Sequence, residues 1–127
     1  MADKNLSFQL ISENSCSNEV YMEFESQAHA GLTHSISAGK YTKASGLYSG
    51  MPFWIQSNGT YMLWFAKGQW RIGKESYLGT TTSNLHSTNS PPCPESIGSN
   101  WKYLDDGEWL DAQGNAKMYK FEGMIDV

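Results

Sequence analysis

The sequence predicts an all-β domain, an antiparallel β-sandwich or partly open barrel of about eight short strands. Three observations carry that prediction. Apolar residues recur with period two in several segments, glycine-containing dipeptides punctuate the chain at short intervals, and the aromatic fraction reaches 13% while only 17% of residues are charged. At 127 residues the chain fits a single domain, 1–127, able to bury about two-thirds of its unfolded surface without metals or disulfides.

The elements follow in order. Leu6, Phe8 and Leu10 alternate with Ser7, Gln9 and Ile11 in "LSFQLIS", and Val20, Met22 and Phe24 with Tyr21, Glu23 and Glu25 in "EVYMEFE". The polar cluster "ENSCSN" between them reads as the turn of an antiparallel pair. In "QAHAGLTHSISAGKY", Ala28, Leu32 and Ile36 fall at helical spacing, but the glycines and hydroxyl residues oppose a helix, so the segment is read as loop and strand. Ser45-Gly46, Ser49-Gly50 and Met51-Pro52 are three candidate turns.

"PFWIQ" and "TYMLWFA" flank Ser57-Asn58-Gly59, and Asn-Gly is a strong hairpin signal because both residues tolerate positive φ. Lys67-Gly68 then turns into "QWRIGK". Both faces of "TYMLWFA" are apolar, so this strand is expected to be covered on both sides, with Phe53, Ile55, Leu63 and Phe65 in the core. The polar, proline-interrupted run from Tyr77 to Asn100 reads as a long surface loop with Leu85 tucked inward. "WKYLDDGEWLD" reads as a hairpin turning at Asp106-Gly107, and "AKMYKFEGMIDV" supplies a last strand that can pair beside the first.

Gly39-Lys40-Tyr41, "YSGMPFW", "GQWRIG", the Pro-Cys-Pro segment and "WKYLDDGEW" occur in an order that resembles an aromatic repeat module of secreted, often multi-module proteins of aquatic invertebrates and protists. In that pattern a Gly-x-Tyr precedes a Gly-x-Pro-x-aromatic step, a Trp-x-Ile-Gly strand and a Trp-x-x-x-Asp-Gly-x-Trp hairpin. The resemblance spans 39–111, with strands flanking it on both sides. It implies an extracellular, adhesive or recognition setting and no reaction.

Charge and motif content narrow the function. A net charge of −4 with scattered Lys and Arg gives no phosphate-binding stripe, so nucleic acid is not an expected partner. No apolar run is long enough to insert in a membrane, and "MADKNLSFQ" lacks the apolar core of a leader. The expected location is extracellular, as a mature segment, with the cytoplasm as the alternative. Two sequons, at Asn5 and Asn58, support secretion only weakly. Cys16 and Cys93 are too far apart in sequence for a Cys-x-x-Cys site; a disulfide between them and two buried thiols both fit.

His29, His34 and His86 form no zinc motif, and Asp105, Asp106, Glu108, Asp111 and Asn115 lack calcium-loop order, leaving Asp106-Gly107 as hairpin chemistry. Neither a nucleophile elbow nor a phosphate loop occurs, so no enzyme activity and no cofactor are expected. What remains is aromatic. At least two of the five tryptophans are expected to be partly exposed, and Trp70, Trp101 and Trp109 lie beside turns with Tyr103, Asp105, Asp111 and Gln69. Indole faces next to carboxylates and carboxamides match the apolar face and polar rim of a sugar ring, so a lectin-like glycan or glycoprotein site is the expected function. The alternative is an adhesive module that binds protein, including its own copy as a homo-oligomer, through the same rings. Core packing is the competing role for each ring.

Overall fold

The computed structural model describes residues 16–25, 37–57 and 59–121. The strand expected over 6–12, most of the undecided segment with His29 and His34, and the sequon asparagines Asn5 and Asn58 lie outside the described residues.

The described chain is all-β, with strands β1 (Glu19–Phe24), β2 (Gly39–Tyr48), β3 (Met51–Gln56), β4 (Tyr61–Ala66), β5 (Gln69–Lys74), β6 (Leu85–Ser87), β7 (Trp101–Asp105), β8 (Glu108–Asp111) and β9 (Ala116–Lys120). Two short 3-10 turns, Glu75–Tyr77 and Pro94–Ser96, interrupt the long connections. All nine strands join one antiparallel sheet in the order β8-β7-β6-β5-β4-β3-β2-β1-β9. The last strand lies beside the first, as its sequence suggests.

That order forces the sheet to curl. Strands β8 and β9 stand at opposite ends, about 38 Å apart if the sheet were flat at a spacing of ~4.8 Å. Yet only residues 112–115 connect Asp111 to Ala116, a link that reaches at most ~18 Å. The sheet therefore bends back on itself into a half-barrel. Where the ends approach, Met118 of β9 donates its N–H to the Gly98 carbonyl at 2.8 Å, in the segment leading into β7. Of the two expected architectures, the partly open barrel describes this single curled layer.

Turn chemistry makes the meander. Ser49, Lys67 and Asp106 each have φ of 54° and are followed by Gly50, Gly68 and Gly107 at 79°, 78° and 83°. Two consecutive positive φ values define the turn whose twist matches its flanking strands. Ser45-Gly46 and Met51-Pro52, by contrast, do not turn the chain. Gly46 lies within β2, where the pairing with β3 shifts register between Lys43 and Leu47.

The inner face of the sheet is the core: Val20, Met22, Tyr41, Trp54, Leu63, Trp70, Ile72, Leu85, Trp101 and Met118 are buried together, and Ile97 closes them from the β6–β7 connection. Two expectations are corrected here. In β3 the inward residues are Trp54 and Gln56 rather than Phe53 and Ile55, because Trp54 stands opposite Leu63 and successive side chains alternate. Ile55 is accordingly exposed. Leu85 does turn inward, but as part of strand β6, which pairs with both β5 and β7. Its neighbour Ser87 is fully buried and accepts the Trp70 backbone N–H at 2.9 Å, so a polar strand satisfies the ladder beside it.

Strand β4 is covered on both sides as expected. On its outer face Trp64 is buried beneath the connection after β5, donating its indole N–H to the Thr80 carbonyl at 2.9 Å. Gly73 leaves room for that ring: a Cβ there would sit 3.0 Å from Trp64 and 3.2 Å from the Ser83 backbone. Cys16 and Cys93 form a disulfide, Cα atoms 5.3 Å apart, tying the entry to β1 to the β6–β7 connection.

Candidate functional site

Period two divides the expected recognition residues between the two faces of the sheet. In β7, Trp101, Tyr103 and Asp105 share one side. The two-residue turn pairs Asp105 with Glu108 and Tyr103 with Leu110, which sends Trp109 and Asp111 to the other side. Trp70 of β5 faces inward, and Gln69 flanks Arg71 on the outer face. Trp70 and Trp101 are fully buried and Tyr103 is buried beside them; Asp105 is exposed at the hairpin tip. The surface expected from Trp70, Trp101 and Tyr103 is therefore core, and the expectation of two partly exposed tryptophans is corrected to one, Trp109.

The four buried tryptophans also have their indole N–H groups committed. Trp54 donates to the Ser17 carbonyl at 3.0 Å, Trp64 to Thr80 at 2.9 Å, Trp70 to Pro91 at 2.8 Å and Trp101 to Gly98 at 3.1 Å. Every acceptor is a backbone carbonyl outside the regular strands, so each ring pins a connecting segment to the sheet. Among the described residues, the Trp109 indole N–H has no such acceptor.

Trp109 sits on a chemically mixed outer row. Arg71, His86, Lys102 and Asp111 stand directly opposite one another across β5, β6, β7 and β8. Trp109 lies one register step along, and its ring is 4.3 Å from the His86 imidazole. His86 donates from Nδ1 to the Ser87 carbonyl at 2.8 Å, since a carbonyl can only accept. Nε2 is then left as an acceptor in the neutral ring. Burial lowers the His86 pKa; the bond to Ser87 opposes that, while the charges of Arg71 and Lys102 reinforce it. Neutral imidazole is thus favoured near neutrality.

Arg71 is a brace rather than a free cation. It donates to the Ala66 and Thr81 carbonyls, to Ser83 Oγ and to Gln69 Oε1, holding the connection after β5 against the outer face. Its pKa is lowered by burial. Gln69 is spent on this brace, and one Asp111 oxygen accepts the Gln113 N–H at 2.6 Å. Among the described residues, the groups that remain to meet a ligand are the Trp109 ring and N–H, His86 Nε2, the Lys102 ammonium and the second Asp111 oxygen. The sequence carries no signal for His86 and Lys102, because their association with Trp109 depends on which strands are neighbours.

No protein-family model matches the chain, and no curated protein and no solved structure matches it.

Proposed function

We propose that this domain is a non-catalytic recognition module that binds glycan on the outer face of β6–β8, centred on Trp109. The observation that carries this reading is the uncommitted indole: four tryptophans are buried with their N–H groups bonded, while Trp109 is half-exposed with its N–H free of protein partners among the described residues. Around it stand a donor (Lys102), an acceptor nitrogen (His86) and a carboxylate (Asp111). Sugar hydroxyls both donate and accept, so a flat ring edged by both kinds of group is complementary to them. The disulfide favours an oxidising, extracellular setting for this activity.

Glycan-array binding by the intact protein, followed by Trp109→Ala, tests the reading. Binding is expected in the parent and lost in a variant that still unfolds cooperatively. A folded variant that binds as tightly as the parent, or a parent that binds no glycan, overturns it.

A second reading has its own observation. Leu47, Tyr48 and Tyr77 are 62%, 45% and 42% exposed, and no charged residue occurs from Ala44 to Ala66. Tyr48 lies against Gly79, where any side chain would collide with its ring, so the β2–β3 hairpin and the connection after β5 present these rings together. Such an aromatic tip, uncharged at its β2–β3 hairpin end, suits self-association. Sedimentation should then show an oligomer that Tyr48→Ser dissociates; a monomeric parent at high concentration excludes this reading.

A further inference from the structure

We propose that Cys16, Cys93 and Glu95 form a redox-gated metal site, closed while the disulfide is intact and able to bind one thiophilic divalent cation, such as zinc, once the disulfide is reduced. The ligand-type atoms of the three residues already lie within 4.8 Å of one another. Glu95 supplies a second, independent observation. Its Oε2 accepts the Ser17 N–H at 2.9 Å, but Oε1 is buried with no hydrogen-bond partner among the described residues. A buried carboxylate oxygen without a partner is uncommon and calls for an ion, a water or a chemical role.

The geometry suits the exchange. Tetrahedral zinc with Zn–S bonds of about 2.3 Å holds two sulfurs about 3.8 Å apart. With the Cα atoms 5.3 Å apart, side-chain rotation provides that separation without moving strands. The surrounding backbone is tied independently of the sulfur bond: Lys43 Nζ donates to the Cys16 carbonyl at 2.9 Å and Trp54 to Ser17 at 3.0 Å.

The chemistry balances with a dithiol as reductant. Its thiolate attacks Sγ of Cys93, the less buried of the two, and Cys16 leaves as a thiolate. The second thiol of the reductant then displaces Cys93 and carries away a cyclic disulfide, so two electrons pass to the protein. Reduced in this way, the cluster holds two thiols beside a carboxylate, and deprotonating both would gather three negative charges in a partly buried space. A divalent cation replaces the two thiol protons and cuts that charge from −3 to −1, with water completing the fourth position.

The test uses the full chain, reduced with dithiothreitol and freed of it anaerobically, with cadmium alone as probe. One equivalent should produce thiolate-to-cadmium charge-transfer absorption in the reduced protein and none in the oxidised protein. Glu95→Gln, which keeps the side chain's size and its acceptor for Ser17, should weaken binding by about tenfold or more. Equal affinity in Glu95→Gln, or no absorption in the reduced parent, overturns the proposal. So does reduction that unfolds the chain if cadmium then fails to restore its circular dichroism.

Discussion

Trp70 and Trp109 occupy two tight hairpins, β4–β5 and β7–β8, and have opposite fates. Each lies beside a glycine turn, yet Trp70 is fully buried, edge-on to Trp54 at 5.7 Å and to Phe65 at 5.2 Å, with its N–H on Pro91. Trp109 is half-exposed against His86. The difference is parity. Gln69 starts β5 on the outer face, which turns Trp70 inward; Glu108 starts β8 on the inner face, which turns Trp109 outward. Proximity to a turn therefore says little about exposure, and position within the pleat decides it.

This contrast can be broken most directly at Trp70. Trp70→Ala should cost about 3 to 5 kcal/mol in denaturant unfolding, since it empties the centre of the core. Trp70→Phe keeps most of the ring but strands the Pro91 carbonyl, and should cost about 1 to 3 kcal/mol. A loss below ~1 kcal/mol for Trp70→Ala would mean that the ring is not core. The same truncation at Trp109 should change stability by less than ~1 kcal/mol, because the ring covers the outer face only in part. A loss comparable to that of Trp70→Ala would reassign Trp109 to packing and remove the proposed site.

The smallest effect concerns His86. Because its pKa is lowered in the folded protein, the unfolded chain takes up the proton first as pH falls. The folding contribution of neutral His86 is therefore present above the ordinary imidazole value and is lost as pH drops below it towards the lowered folded value. Urea midpoints measured from about pH 8 to pH 5 should decline at the acid end, and His86→Gln should flatten that decline. An unchanged slope in the variant would place the titration elsewhere.

Much of this was legible in the residues. Ser49-Gly50, Lys67-Gly68 and Asp106-Gly107 specified their turns locally, since glycine at the second position permits a positive φ that branched residues resist. Alternation placed Val20, Met22 and Leu63 in the core, and two apolar faces marked β4 as the covered strand. The cysteine pairing was one of two readings left open, and the structure bridges them.

Other features depend on contacts that no local pattern encodes. Strand β6 is three residues inside a polar run, and it exists because β5 and β7 supply ladder partners on both sides. In β3 hydrophobicity favoured the set Met51, Phe53 and Ile55 over Pro52, Trp54 and Gln56, yet opposition of Trp54 to Leu63 in the neighbouring strand turned the second set inward. For the tryptophans, sequence determined that large rings with one donor each would recur through the sheet. Which of those donors found a carbonyl was decided only by tertiary structure, because the acceptors are backbone groups on connecting segments whose path follows from the curl. Ser17 lies 37 residues from Trp54 and Pro91 lies 21 from Trp70, separations over which side-chain chemistry carries no information until the sheet has folded.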